Sequence, residues 1–493
     1  MTLHTLGSLL GGHAHILAPH AADLRIEGVT ADSRKVRPGF LFVAVPGTHA
    51  DGARFIADAV GRGASAVLME PVAPLPAAPP GISYAHVAFA FSLDARRSLA
   101  LAAARAHPRQ PAVIAAVTGT AGKTSVAYFL RQIWEQLGHK AAYLGTIGLV
   151  TPGGAAYGSL TTPDPVELHA ILDGLVAKGI THMALEASSH GLDQRRLDGV
   201  RLTAGAFTNL GRDHLDYHPT VEAYFKAKLR LFTELLPQDA TAVGVLDAPH
   251  AATALAWAET RGLNTLSFGD DFAGATIEVL DVKPSGAGQL IRFGGGLEIA
   301  LPLAGRFQAD NALVAAGLAM ACGADREEAL AALAHLKGVP GRLERVGDDP
   351  LRPVFVDYAH KPEALAAVLD TLRGAVKGRL MVVFGCGGDR DRGKRPIMGA
   401  IASEKADLVI VTDDNPRSEA PAAIRAEILT AAPGAREIAD RREAIRAAVA
   451  LMQPGDALVV AGKGHETGQI IGDRTHPFSD AAEVLAALAE VGA

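Results

Sequence analysis

Short, nearly continuous apolar runs alternate along this chain with stretches whose apolar residues recur every three or four positions, the pattern of buried strands between one-faced helices. The run 40–45 is the first clear strand, and an Ala-rich helix then ends near His107-Pro108, where the proline marks a boundary. From Ala112 the order becomes strand, glycine loop, helix, strand, repeated through 180–186 and 204–209, which predicts a parallel sheet. Between 265 and 304 the runs 275–279 and 289–293 alternate and are punctuated by glycine, predicting a small antiparallel edge sheet before a helix over 309–321. After Gly338-Val339-Pro340-Gly341 a second series begins, with strands expected at 354–356, 380–384, 408–411 and 457–460. The expectation is an α/β protein of three domains: 1–107, a central parallel-sheet domain over 108–337 with its antiparallel edge, and a Rossmann-like domain over 338–493. The length of 493 residues supports that division, since domains average roughly 150 residues.

Composition narrows the class. The chain is 49% hydrophobic and 20% charged, ordinary for a globular protein. A net charge of -6 argues against a nucleic-acid partner, because phosphate-backbone binders carry a basic stripe. Cys322 and Cys386 make neither a disulfide framework nor a zinc spacing, which fits a reducing, cytoplasmic setting. No run approaches the roughly 20 apolar residues that span a bilayer, so membrane insertion and secretion are not expected.

Candidate chemistry begins between the strand 112–117 and the helix expected over 125–138, at Thr118-Gly119-Thr120-Ala121-Gly122-Lys123-Thr124-Ser125. Glycines there let backbone N–H groups approach phosphate oxygens, and the helix N-terminus adds positive potential. Lys123 would neutralise phosphate and Thr124 would ligate magnesium. Val117 stands where the long phosphate-loop pattern has its first glycine, so the loop is the shorter G-x-x-G-K-T form. Downstream, 208–218 is dense in possible metal or phosphate ligands. A helix begins near Pro219-Thr220 with an apolar stripe through Val221, Tyr224, Phe225, Phe232 and Leu235, and Lys228 falls on that stripe. One reading is a lysine whose stem lies on the apolar face and whose head reaches water. The other is an ammonium whose pKa falls in a low-dielectric site, so that the neutral amine takes up carbon dioxide as a carbamate and becomes a metal ligand.

Thr118–Ser125, Glu186–Leu192, Asn209–His218 with Lys228, and Asp357-Tyr358-Ala359-His360 together closely resemble the Mur ligase family of cell-wall enzymes, over nearly the whole chain. The resemblance implies an ATP-dependent, amide-forming ligase acting through an acyl-phosphate as a cytoplasmic monomer. Within the family it points to the branch that adds meso-2,6-diaminopimelate to UDP-N-acetylmuramoyl-L-alanyl-D-glutamate. It also implies that Lys228 carries the carbamate, that Glu186 and His214 help hold two magnesium ions with Thr124 and Lys228, and that Lys123 is catalytic. ATP contacts are implied at Gly119, Thr120, Ala121, Gly122, Lys123, Thr124 and Ser125, at Asn311 near the adenine, and at Arg342 and Asp357; Gln308 and Asp310 depart from the family pattern beside Asn311. Ser33, Thr48, His49 and Ala50 resemble the grip on the UDP end, making 1–107 a UDP-binding domain. Thr161, Thr162, Ser188, Gln194 and Arg196 resemble the positions that hold the muramoyl-dipeptide, although Arg196 also reads as a solvated charge.

Three loops of the last domain follow predicted strands and should meet at one carboxyl-end crevice: 385–390, Asp414-Asn415-Pro416-Arg417, and 462–466. Arg390 and Arg417 can fork carboxylates, while Glu466, beside Gly462, can accept from an ammonium. The 414–417 loop matches diaminopimelate-adding members; lysine-adding relatives lack its arginine, since L-lysine has no distal carboxylate. A folylpolyglutamate synthase or a lysine-adding ligase would share the phosphate loop and the carbamate. A plain P-loop NTPase would share only the loop and leave the three crevice loops without a role.

Overall fold

The computed structural model describes residues 4–492 except 48–50, 72–77, 157–159, 215, 270–273, 286–287 and 375. The expected positions Thr48, His49 and Ala50 lie outside the described residues. Two compact units form, one from Met1–Ile277 with Leu313–Ala329 and one from Glu278–Ala312 with Leu330–Ala493. The first unit therefore takes in both the expected N-terminal segment and most of the middle one.

In the first unit, strands Gly28–Thr30, Phe40–Ala44, Ala64–Met69 and Ala88–Phe91 run parallel, and His15–Ile16 closes the edge antiparallel. Side chains alternate across this sheet: Leu41, Val43, Ala66 and Leu68 enter one core, while Phe42, Ala44, Val67 and Met69 enter the other. Burial on both faces explains why these strands read as continuous apolar runs.

The larger sheet of this unit orders His182–Glu186 beside Val113–Thr118, then Ala204–Phe207, Thr241–Val245 and Asn264–Gly269, with Ala141–Gly145 on the other side, all parallel. The phosphate loop thus leaves the end of a central strand, between the strand ending in Glu186 and the one leading into Thr208. This is where open α/β sheets form their crevice. The following helix, Lys123–Gln136, starts two residues before the expected Ser125 because Gly122, at φ +86°, serves as its left-handed N-cap. Val126, Phe129, Leu130, Ile133 and Trp134 are buried along it. The Lys228 helix spans Val221–Arg230 with Thr220 as N-cap, and the stripe continues through a π turn, Leu231–Leu235. The Leu236 N–H there reaches back five residues to the Leu231 carbonyl.

The second unit contains an antiparallel meander, with Gly288–Phe293 pairing both Ile277–Ser285 and Glu298–Leu301; Gly288–Phe293 starts one residue before the expected run 289–293, and Ile277–Ser285 extends beyond the expected 275–279. Its main sheet runs Glu344–Val346, Val354–Asp357, Ala457–Ala461, Leu380–Phe384, Leu408–Val411, Arg436–Glu437, and only the first strand is antiparallel. Packing on both faces again produced the apolar runs. A hairpin, Gly468–Ile471 with Arg474–Pro477, follows the last parallel strand.

Candidate functional site

Residues 118–125 form a braced phosphate loop. Gly119 sits at φ +145°, and a Cβ there would collide with Thr208 Oγ1. That hydroxyl donates to the Ala121 carbonyl at 2.6 Å. Thr120 N–H donates to the Asn209 carbonyl at 2.8 Å, and Ala121 N–H to Asn209 Oδ1 at 3.1 Å. The Thr208-Asn209 turn therefore holds the loop open from the next strand. Lys123 Nζ folds onto the loop, donating to the Gly119 and Thr120 carbonyls at 2.9 Å each. Thr124 and Ser125 are buried in the first turn of the helix.

Lys228 is 1% exposed, which rules out the solvated-head reading. Its Nζ donates to the same Gly119 carbonyl at 2.6 Å and lies 4.2 Å from the centre of the Tyr224 ring. Burial first, and then the neighbouring Lys123 charge, hold the Lys228 ammonium well below the usual lysine range, against a smaller opposing pull from Asp213. A shift in that direction favours the neutral amine, the form from which a carbamate would be made.

Glu186 is fully buried at its strand end. It accepts from the Tyr143 hydroxyl, from Thr146 N–H at 2.9 Å and from Thr146 Oγ1 at 3.1 Å. His214 adopts φ +53°, with Nε2 3.6 Å from Asp213 Oδ2 and its ring edge-on to His190 at 4.9 Å. Among the described residues no three His, Cys, Asp or Glu side chains form a ready metal cluster. Thr124, Glu186, His214 and a carbamate on Lys228 are oxygen and nitrogen donors suited to magnesium, yet they make a partial set that phosphate oxygens would have to complete.

Next to Glu186 the dipeptide-side candidates interlock. Thr162 Oγ1 donates to the Glu186 carbonyl at 2.9 Å and meets Ser188 Oγ at 3.0 Å, while Thr161 Oγ1 meets Thr146 Oγ1 at 3.2 Å. Arg196 donates to the Thr162 carbonyl at 2.6 Å and to Gln194 Oε1 at 2.7 Å, so it is a tethered side chain and not a solvated charge. Gln194 in turn donates to the Tyr217 hydroxyl at 3.2 Å. Ser33 is buried in a short turn capped by Asp32, on a different sheet of the unit.

In the second unit, Asp357 ends its strand by accepting from Leu343 N–H at 2.6 Å and Ala359 N–H at 2.8 Å. Burial pushes its pKa up to about 6, despite the opposing Arg342 charge and those two N–H donors. The Arg342 guanidinium lies 4.8 Å from the centre of the Tyr358 ring. The two departures beside Asn311 are used within the chain: Gln308 Nε2 donates to the Arg342 carbonyl at 3.2 Å, and Asp310 pairs with Arg306 at 3.1 Å. Asn311 itself is buried.

The three crevice loops do meet. Arg417 adopts φ +51° and donates from Nη1 to the Gly388 carbonyl at 2.9 Å; Gly388 passes so close that a Cβ would strike the Pro416 carbonyl. Asn415 Nδ2 donates to Glu466 Oε2 at 2.8 Å. Asp414 lies buried against Gly462, and Arg390 is exposed, donating to the Asp389 carbonyl at 3.1 Å. Sequence reasoning gave no role to Tyr143, Thr146, Thr208 or Lys463. Thr208 and Lys463 lay inside the stretches 208–218 and 462–466 without a role of their own, and Tyr143 and Thr146 carry no periodic signal.

Three family models match in series: the Mur ligase family catalytic domain over residues 25–107, the Mur ligase middle domain over 117–319 and the Mur ligase glutamate ligase domain over 341–464. A protein of Bradyrhizobium diazoefficiens named UDP-N-acetylmuramoyl-L-alanyl-D-glutamate–2,6-diaminopimelate ligase is 56% identical over 489 residues, covering 98% of this chain and 99% of its own. The protein of that name from Caulobacter vibrioides is 53% identical over 490 residues, covering 96% and 98%. A solved structure bearing the same name superposes with a TM-score of 0.70 at 36% identity, covering 94% of this chain and 95% of its own. MurF from Acinetobacter baumannii, at 19% identity and a TM-score of 0.62 over 99% of both chains, shares the fold. With the three models together spanning most of its length and such relatives matching it end to end, the chain belongs to the Mur ligase family.

Proposed function

We propose that this protein is the ATP-dependent ligase that joins meso-2,6-diaminopimelate to UDP-N-acetylmuramoyl-L-alanyl-D-glutamate, making the tripeptide precursor of peptidoglycan in the cytoplasm. The observation that carries this reading is the meeting of three strand-end loops around Arg417, which places a guanidinium and the Glu466 carboxylate in one crevice. A diamino dicarboxylic acid calls for those two charges; L-lysine would leave the arginine without a carboxylate.

In the working assignment, residues 1–107 bind the UDP end, 108–337 bind ATP and 338–493 bind the amino acid. The D-glutamate γ-carboxylate attacks the ATP γ-phosphate to give an acyl-phosphate and ADP. Lys123, which donates to two carbonyls of its own loop, turns its charge onto the phosphate oxygens as they gather negative charge. The amine of diaminopimelate then attacks the acyl carbon, and phosphate leaves from a tetrahedral intermediate. Magnesium, when bound, supplies Lewis-acid neutralisation of the phosphates, and Thr124, Glu186, His214 and carbamylated Lys228 would hold its two ions. Thr161, Thr162, Ser188, Gln194 and Arg196 hold the dipeptide beside Glu186. The protein works as a monomer.

A coupled ADP-release assay comparing meso-diaminopimelate, L-lysine and L-ornithine, with product masses measured, tests the assignment. Turnover with only meso-diaminopimelate is expected. Phosphate release that needs neither the UDP-dipeptide nor an amino acid would defeat the ligase reading, and turnover with L-lysine would defeat the acceptor assignment.

A further inference from the structure

Lys463 has no part in the scheme above, and it is 0% exposed. A side chain sealed from solvent cannot touch an amino acid arriving from solvent, so any role in binding must pass through its neighbours. Its Nζ donates to Asn415 Oδ1 at 3.0 Å and to Glu466 Oε2 at 2.9 Å. Asn415 closes the triangle through Nδ2 to the same Glu466 Oε2 at 2.8 Å. Ile470 N–H, from the hairpin, adds a second donor to Asn415 Oδ1 at 2.8 Å. The Asn415 amide is thereby fixed: its oxygen faces two donors and its nitrogen faces the carboxylate.

Among the described residues both side-chain hydrogen bonds to Glu466 fall on Oε2. The Glu466 side chain remains 31% exposed, and Oε1 takes neither of those two bonds. The same hairpin pins the rest of the loop, with Gln469 Nε2 donating to the Asp414 carbonyl at 2.7 Å and Arg417 N–H to the Ile470 carbonyl at 3.1 Å. One buried cation thus sits at the node where the 414–417 loop, the 462–466 loop and the hairpin are tied together.

We propose that Lys463 is a positioning residue of the amino-acid pocket, clamping Asn415 and Glu466 so that Glu466 Oε1 faces the ammonium group of the incoming amino acid. This rests on the reading of the crevice as the amino-acid site. The competing account is an ion pair that serves stability alone, and buried ion pairs are in general weak stabilisers, because desolvation offsets the attraction. Geometry favours the positioning role: among the described residues the hydrogen bonds of Lys463 Nζ go to the two residues that border the proposed pocket, and its link to the buried Asp480 is one of charge alone.

The charge environment supplies a readout. Burial pushes the Glu466 carboxyl up, but the Lys463 charge and hydrogen bond, the Asn415 hydrogen bond and the His465 charge outweigh it and hold the group below the usual range. Tyr358 and Arg441 also interact with Glu466. Without Lys463 the Glu466 carboxyl takes up its proton at higher pH and ceases to attract an ammonium.

The test uses the full-length protein with Lys463→Met, which keeps the stem and removes the charge. KM for the amino acid that the wild type uses should rise about tenfold to a hundredfold, the cost of a misaligned binding group, while KM for ATP stays within about twofold. The acid limb of kcat/KM for that amino acid should move to higher pH. Equal changes in both KM values, or an unmoved acid limb, would overturn the proposal. Should Lys463→Met not fold, Glu466→Gln decides: it should abolish the acid limb, and a limb that persists removes Glu466, and with it Lys463, from ammonium recognition. The wild type's choice of amino acid is measured separately, so a wrong acceptor and a wrong role for Lys463 give different results.

Discussion

Replacing Arg417 separates the charge it offers from the backbone shape it adopts. At φ +51° a non-glycine residue sits in the left-handed region, which costs about 1 kcal/mol that glycine would not incur. Arg417→Ala keeps that cost and removes the guanidinium; Arg417→Gly removes both. Each variant also loses the Nη1 bond to the Gly388 carbonyl, worth about 0.5–1.5 kcal/mol. The glycine variant should therefore be near wild type in stability and the alanine variant lower by about 1 kcal/mol. Binding should not follow that order. A charged hydrogen bond to a carboxylate contributes about 1.5–3 kcal/mol, so both variants should raise the diaminopimelate KM about 10- to 150-fold. The assay is coupled ADP release with diaminopimelate varied at saturating ATP and UDP-dipeptide, alongside thermal unfolding. The reasoning fails if KM for ATP rises as much as that for diaminopimelate. It also fails if glycine restores KM, because the loop's shape and not its charge would then be what matters.

Gly119→Ala would force an L side chain into φ +145° against Thr208 Oγ1, breaking the 2.6 Å brace to Ala121. ATP KM should rise about tenfold or more with the diaminopimelate KM unchanged in the same assay; a change in the second alone would refute the brace. Asp480→Ala would strand Arg441, whose fully buried guanidinium it holds by two 2.7 Å bonds. A loss of about 3–5 kcal/mol in urea unfolding is expected, and a loss under 1 kcal/mol would contradict it. Asp357, raised from 3.8 to about 6, makes the folded state prefer the proton. Its contribution to stability is fully present below pH 3.8 and lost as pH rises through 6, about 3 kcal/mol in all. Asp357→Asn should flatten that slope in unfolding midpoints measured from pH 4 to 7, and an unchanged slope would assign it elsewhere.

Strands were legible because most are buried on both faces: 380–384 and 408–411 stand where the apolar runs predicted them, and most others differ by a residue or two at an end, while Ile277–Ser285 runs six residues past the expected end at 279. The ends of helices were less legible, since they depend on single residues such as Gly122 and on the π turn after Arg230. Loop geometry was least so. Thr208 reaches Ala121 across 87 positions in sequence, and no local pattern reports such a bond. Arg417 could be read as a carboxylate fork, but its left-handed backbone and the hairpin that holds it depend on tertiary partners.

Two buried lysines show where pattern ends and environment begins. Lys228 stood out in sequence because it interrupts an apolar stripe; Lys463 did not, because glycines on either side leave it no periodicity to break. Burial alone treats them alike. Lys228 Nζ meets a neutral carbonyl and an aromatic ring, with the Lys123 charge nearby, so its ammonium form is disfavoured. Lys463 Nζ instead meets the Glu466 carboxylate and the Asn415 amide oxygen. The two environments differ in one respect that sequence periodicity does not report: a carboxylate oxygen lies 2.9 Å from Lys463 Nζ, whereas Lys228 Nζ has a carbonyl oxygen at 2.6 Å.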